Sequence, residues 1–190
     1  MKNQIRAFVA VSLSAAVRAS VEKLIRTLKR ELDGVKWVDP QNLHITLKFL
    51  GDVPTNELHR IIAAVKRGAE SLETFDLEFQ GCGVFPNPEQ PRTLCVGVGN
   101  GSKELTAAAA TIENELVKLG YPKEHRKFSP HLTIGRAKRD VRVSDAMSRL
   151  LAESVRRPFG SSDVDEVIVY SSELTRSGPI YDELATIPLR

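Results

Sequence analysis

Apolar residues in this chain follow two rhythms, and the switches between them mark out its elements. Ile5 to Leu13 is apolar with little interruption, as in a buried strand. From about Ser14 to Leu32, Ala15, Val17, Val21, Leu24, Ile25, Leu28 and Leu32 recur at helical spacing, and Gly34 stops the run. Leu43 to Leu50 returns to a strand pattern and closes at Gly51-Asp52. Pro54-Thr55-Asn56 opens a second helix carrying Leu58, Ile61, Ile62, Val65 and Ala69. Phe75 to Phe79, Val84-Phe85 and Leu94 to Val98 read as strands around an Asn- and Pro-rich turn at residues 86–91. A third helix runs from about Ser102 to Leu119 and ends at Gly120-Tyr121-Pro122. Another strand begins after Pro130, a weaker helix spans Val143 to Val155, and Val164 to Tyr170 and Tyr181 to Ile187 finish as strands. Helices and strands mix without strict βαβ alternation, which predicts an α+β fold with mostly antiparallel sheets.

Composition narrows this only a little. With 190 residues, 42% of them hydrophobic, the chain can bury a core without disulfides, and no linker divides it, so residues 1–190 read as one domain. A net charge of +3 suits an anionic ligand without requiring one. Cys82 and Cys95 sit in apolar, strand-like runs with no Cys-x-x-Cys spacing, so they read as reduced, buried thiols of a cytoplasmic protein. Lys2 and Arg6 ahead of the apolar Ala7–Leu13 run imitate a signal peptide, but the run is short and a first core strand is the better reading. No segment is long enough to span a membrane.

The chemistry lies in a phrase that occurs twice: His44-Ile45-Thr46-Leu47 and His131-Leu132-Thr133-Ile134. These use two of the four histidines and stand about half the chain apart. Residues two apart on a strand share a face, so each His stands beside a Thr while the apolar neighbours turn to the core. One such motif per half, each with a proline close before it (Pro40, Pro130), suggests two similar lobes facing across a cleft. Displacement at phosphorus puts attacking and leaving oxygens on opposite sides. Two imidazoles that titrate near neutrality can serve as base on one side and acid on the other, with Thr hydroxyls donating to the non-bridging oxygens.

Other readings compete. A single His-Thr pair is as readily a half-buried polar pair, and only the repetition favours catalysis. Zinc would need a third or fourth ligand, and no His-x-His, His-Glu-x-x-His or Cys cluster is present, so no metal is expected. His59, on an amphipathic helix, and His125, in a charged loop, read as solvated. Lys48 shares the strand-pattern face of His44 and Thr46, and either reaches a phosphate or forms a rim salt bridge. Gly97-Val98-Gly99-Asn100-Gly101 fits neither dinucleotide nor P-loop spacing and reads as a tight turn with Ser102 near the helix cap. Lys123, Arg126, Lys127, Arg136, Lys138, Arg139 and Arg142 bracket the second motif, where an RNA backbone would meet cations.

Beyond the two motifs, the flanking runs Ile5–Ala10, Asn42–Gly51, Gly83–Asn87, Phe128–Arg136, Val169–Leu174 and Gly178–Tyr181 resemble the two-histidine (2H) phosphoesterase superfamily. Within it they are most similar to the bacterial and archaeal RNA 2′,3′-cyclic phosphodiesterases, also named 2′-5′ RNA ligases. The resemblance implies a bilobal α+β fold: two antiparallel sheets with flanking helices, related by a pseudo-twofold about a central groove. It implies hydrolysis of terminal 2′,3′-cyclic phosphates on RNA ends or small cyclic nucleotides to 2′-phosphomonoesters, without metal, ATP or other cofactor, by a monomer. His44 and His131 then become the acid–base pair, and Thr46, Thr133 and Arg136 the phosphate-binding residues. Strict alternation sets Arg136 opposite His131, a conflict that a bulge at Gly135 would resolve. The competing functions are an ATP-independent 2′-5′ ligase acting on tRNA halves, and a non-catalytic RNA-binding module.

Overall fold

The computed structural model describes residues 3–87, 90–138, 148–149, 152, 154–176 and 178–190. Its elements are, in chain order, β1 (Gln4–Val11), α1 (Ala15–Glu31), β2 (Val35–Trp37), β3 (Ile45–Pro54), α2 (Leu58–Ala69), β4 (Phe75–Phe85) and β5 (Thr93–Val98). There follow α3 (Ser102–Val117), β6 (His131–Ala137), β7 (Pro158–Val164), β8 (Glu166–Leu174) and β9 (Pro179–Pro188). Single 3₁₀ turns at Pro40–Asn42 and Thr55–Glu57 lead into β3 and α2.

The strands form two antiparallel sheets, ordered β3-β1-β8-β9 and β2-β6-β5-β4-β7, so the α+β expectation agrees with the structure. Helices α2 and α3 pack on each other, α3 lies against β3 and α2 against β9. Helix α1 lies against β7 and β2 of the other sheet. Apolar spacing explains α1: Val17, Val21, Leu24, Ile25 and Leu28 are all buried on one stripe. Its start is fixed by Ser14, whose hydroxyl accepts the Val17 N–H at 3.3 Å and donates to the Ser161 carbonyl at 2.9 Å. The first turn of α1 is thereby tied to β7. In β1, Ala7, Val9 and Val11 join the main core, while Phe8 and Ala10 turn to the opposite face of the sheet.

Several boundaries depart from the sequence reading. Gly51-Asp52 reads as the end of the first motif strand, and Gly81 falls in a gap between the Phe75–Phe79 and Val84-Phe85 strand patterns. Each instead adopts positive φ (74° and 72°) within a continuous strand, at or beside a register shift. A glycine that signals a turn in isolation becomes a bulge once a partner strand is there to pair with. Strands β2 and β7 were not anticipated: the first is three residues long, the second reads Pro-Phe-Gly-Ser-Ser-Asp-Val and buries only Phe159, Ser162 and Val164. Gly101 caps α3 with φ 80° and Ser102 is its first residue, in keeping with the reading of a tight turn that has Ser102 near the cap. The helix expected over Val143 to Val155 falls mostly outside the described residues, as do Arg139 and Arg142 of the basic stretch.

Both motif strands carry a bulge at the same place. In β3, Ala10 pairs with Thr46 and Val9 with Lys48, leaving Leu47 as the extra residue. In β6, Cys95 pairs with Thr133 and Leu94 with Gly135, leaving Ile134 as the extra residue. Inserting one residue reverses the facing of everything after it. Lys48 therefore turns away from Thr46 into the protein, and Arg136 comes to the face of His131 and Thr133.

Candidate active site

The two motif strands belong to different sheets yet lie against one another. His44 immediately precedes β3 and His131 opens β6. The two imidazoles are held alike. Nδ1 of His44 lies 2.8 Å from the Asn42 carbonyl, and Nδ1 of His131 lies 2.7 Å from the Ser129 carbonyl. A carbonyl only accepts, so Nδ1–H is the donor in both and Nε2 is left to face the chemistry. In each case the partner is the backbone oxygen two residues earlier, which aims both rings by the same local device. Nε2 of His44 is 3.1 Å from Oγ1 of Thr46, and with its proton on Nδ1 the ring accepts a hydrogen bond that this hydroxyl donates.

Their surroundings differ. His44 is packed among aromatic rings: Phe8 at 4.8 Å between centroids, Tyr181 edge-on at 5.3 Å and Tyr170 at 6.3 Å. Burial among these rings pulls the His44 pKa below its ordinary value. The Asn42 hydrogen bond partly opposes this, and the positive charges of Arg136 and Arg18 add to it. Burial likewise raises both tyrosine hydroxyls, Tyr170 to about 12, helped there by Glu183 and Glu166. His131 is more open, with Phe85 at 5.1 Å.

Arg136 belongs to the second motif, but its charge is felt by His44 and by Tyr181 of the other sheet. The two half-sites thus lie within electrostatic reach. Thr46 and Thr133 are both half-buried and follow their histidines by two positions, while the side chain of Arg136 is exposed.

Lys48 does not join this face. Its ammonium is buried, with 2% side-chain exposure, and donates to Oε1 of Glu113 at 2.6 Å and to the Pro122 carbonyl at 2.7 Å. Glu124 stands 3.6 Å away. Both sequence readings of Lys48, a phosphate contact and a rim salt bridge, give way to a buried clamp joining β3, α3 and the loop that leads to the second motif. His59 and His125 are exposed, as expected of solvated side chains. No group of three or more His, Cys, Asp or Glu side chains able to hold a metal ion occurs among the described residues. No described helix is long and apolar enough to cross a membrane. Cys95 is buried and Cys82 half-buried rather than fully so; both are free thiols, and burial pushes them up to about 12 and about 11.

The model of the 2′-5′ RNA ligase superfamily matches residues 15–176. The chain belongs to the 2′-5′ RNA ligase superfamily. A Methanothermobacter thermautotrophicus relative described as an RNA 2′,3′-cyclic phosphodiesterase is 39% identical, over 98% of this chain and 100% of its own. A relative from Archaeoglobus fulgidus with the same description is 38% identical over 94% and 97%. Among solved structures, TT0787 of Thermus thermophilus superposes with a TM-score of 0.81 at 29% identity, covering 98% of each chain. E. coli LigT complexed with 3′-AMP superposes with a TM-score of 0.77 at 23% identity, again over 98% of each, a likeness of fold.

This superfamily member builds its site from more residues than the doubled motif announces. Asn42 donates from Nδ2 to the Pro179 carbonyl at 2.9 Å, anchoring the start of the strand that carries Tyr181. Arg18, on α1, donates from Nη1 to the Pro40 and Gln41 carbonyls at 2.6 and 3.0 Å, bracing the turn that delivers His44. Phe8, Tyr170 and Tyr181 come from chain segments far from His44 and are assembled only by the pairing of β1 with β3 and β8, and of β8 with β9. Their presence inside the resembling runs was the one available signal. Asn42 and Ser129, two before each histidine, lie in those runs too, but their role in aiming the imidazoles left no signal of its own, because a backbone carbonyl carries no residue identity.

Proposed function

We propose that this protein is an RNA 2′,3′-cyclic phosphodiesterase that opens terminal 2′,3′-cyclic phosphates, on RNA ends or small cyclic nucleotides, to 2′-phosphomonoesters. The observation that carries this reading is the pair of imidazoles in contacting strands, each with Nδ1–H fixed on the carbonyl two residues earlier and a Thr two positions on, Nε2 of His44 lying 3.1 Å from its Thr46. That is a matched acid–base pair without need of a resident metal. In the reaction, a water oxygen bonds to phosphorus as the bond to the 3′-oxygen breaks. One imidazole takes the proton from water while the other gives one to the departing 3′-oxygen, so the pair ends with its protons exchanged and the total unchanged. Thr46 and Thr133 donate to the non-bridging oxygens, and Arg136 balances their charge.

The superfamily's description favours a second direction of the same chemistry, in which a 5′-hydroxyl replaces water and a 2′-5′ linkage forms. Free thiols, Cys95 buried and Cys82 half-buried, suit a reducing cytoplasm, and the enzyme acts as a monomer with RNA as its partner. The test incubates a short RNA ending in a 2′,3′-cyclic phosphate, with and without an excess of a 5′-hydroxyl RNA, and reads the end groups. A 2′-phosphate end supports hydrolysis. A joined product dominating at physiological RNA concentration would replace it by ligation, and neither product would overturn the reading.

A further inference from the structure

Strand register decides which side chains stand beside Arg136. Lys36 of β2 pairs directly with Arg136 of β6, and on the other side of β6 Thr93 of β5 pairs with the same arginine. Residues directly opposite one another in an antiparallel pair share a face of the sheet. Arg136 is on the face of His131 and Thr133, so Lys36 is on that face as well. The reverse side of the sheet agrees. A Cβ on Gly135 would meet Val35 and Trp37 at 2.8 and 3.0 Å, and both of these pack against the core. Lys36, between them, alternates to the opposite face and is exposed.

Two cations directly opposite one another cost a sheet stability. The other sheet shows the ordinary arrangement, with Arg6 of β1 opposite Asp52 of β3. Here the remaining neighbours bring no relief: Thr93 is neutral, and Gly34 and Val38 flank β2. Lys138 adds a third exposed cation two residues past Arg136, where its N–H bonds the Gly34 carbonyl and continues the ladder. Among the described residues no ion pair engages Lys36, Arg136 or Lys138. A like-charged pair held in register beside a site of phosphate chemistry is relieved by an anion lying between its members. Arg136 is the cation felt by His44 and Tyr181, so the reacting phosphate falls to it. Lys36 stands one strand further out, about 5 Å on. The next charge that an RNA end offers is the phosphodiester on the 5′ side of its last nucleotide, one sugar away.

We propose that Lys36 and Arg136 form a second phosphate seat, which takes the phosphodiester on the 5′ side of the nucleotide whose cyclic phosphate lies between the two histidines. The proposal rests on the phosphodiesterase reading for its substrate and narrows it. A 2′,3′-cyclic mononucleotide leaves the seat unfilled, whereas an RNA end fills it. Arg136 faces both phosphates, and Lys36 touches the second alone. The preferred substrate is therefore an RNA chain end of any sequence, because a phosphate contact carries no base identity.

The experiment compares wild type, Lys36→Gln and Lys36→Arg on three substrates with the same reacting group. These are 2′,3′-cyclic AMP, a two-adenosine RNA ending in a 2′,3′-cyclic phosphate, and the same dinucleotide with an uncharged methylphosphonate linkage. Wild type should favour the natural dinucleotide over the methylphosphonate by about threefold to thirtyfold in kcat/KM. Lys36→Gln should lose that preference, Lys36→Arg should keep it, and all three proteins should turn over cyclic AMP alike. The same preference in Lys36→Gln as in wild type, or an equal loss on cyclic AMP, overturns the proposal. Lys36→Gln also removes one of two facing like charges, so it should melt no lower than wild type. A lower melt would give Lys36 a partner within the protein and overturn the seat. Calorimetric titration stands apart from turnover: Lys36→Gln should weaken binding of the dinucleotide ending in a 2′-phosphate and spare that of adenosine 2′-phosphate. Wild type that turns over no substrate, yet shows this difference in binding, would sink the phosphodiesterase reading and keep the seat. Turnover with neither the preference nor the binding difference would do the reverse.

Discussion

Burial of His44 among Phe8, Tyr170 and Tyr181 has a consequence for stability that can be worked out in sign and size. Unfolded, the imidazole titrates near the ordinary histidine value of 6.5; folded, it titrates lower. Between those two values the unfolded chain binds more protons than the native one, so stability rises with pH across that window. Equivalently, the contribution of neutral His44 is fully present above 6.5 and is lost as pH falls toward the folded pKa. The slope cannot exceed about 1.4 kcal/mol per pH unit for one group. If His44 stays neutral throughout, the loss between about pH 7.5 and about pH 5.5 reaches about 1.4 kcal/mol, the ceiling for that window. The assay is equilibrium denaturation in guanidinium chloride at a series of pH values for wild type and His44→Ala. Their difference cancels every group that the two proteins share. The wild type should lose stability on acidification relative to the variant. Parallel pH curves, or a steeper loss in the variant, would refute the burial argument.

Three further outcomes follow from particular contacts. Lys48→Ala strands the Glu113 carboxylate, which burial alone would raise but which the Lys48 hydrogen bond, the Glu124 N–H and nearby lysine charges together hold below its usual range. A thermal melt should show a loss of about 3–5 kcal/mol, partly recovered in Lys48→Met/Glu113→Gln; a double variant no better than the single would contradict a buried ion pair. Gly135→Val places a Cβ 2.8 Å from Cγ1 of Val35 and 3.0 Å from Cε3 of Trp37. Trp37 must move, so its fluorescence should shift along with a cost of about 1–3 kcal/mol; unchanged emission would count against the close approach. Arg136→Gln removes a positive charge that depresses His44, so NMR titration of the imidazole should find the pKa of His44 moved up toward 6.5 even as phosphate binding weakens; a downward move would contradict the electrostatic contact between the two half-sites.

The sequence disclosed what is local. His44, Thr46, His131 and Thr133 stood out because the same short pattern occurs twice among few histidines, and α1, α2 and α3 because apolar spacing of 3.6 residues survives without tertiary context. What depended on pairing stayed hidden. The direction of Lys48 and of Arg136 turns on bulges at Leu47 and Ile134, and a bulge is a relation between two strands that neither strand states alone. Gly51 carried a turn signal that pairing overrode. The polar run of β7 holds its place through partners on β4 and through Ser14, both distant in the chain. The aromatic surround of His44 required three strands to meet, so its effect on the imidazole could be read only from the fold.

The most direct test of the central claim follows one turnover of an RNA bearing a terminal 2′,3′-cyclic phosphate, in the presence of EDTA, by wild type, His44→Ala and His131→Ala. Removing an acid or base costs about 10²–10⁴ in rate, so each variant should fall by at least that lower figure while still binding the RNA, and the wild type should yield a 2′-phosphate end. Full activity in either variant, or a wild type that EDTA silences, would contradict a reaction carried by the two histidines.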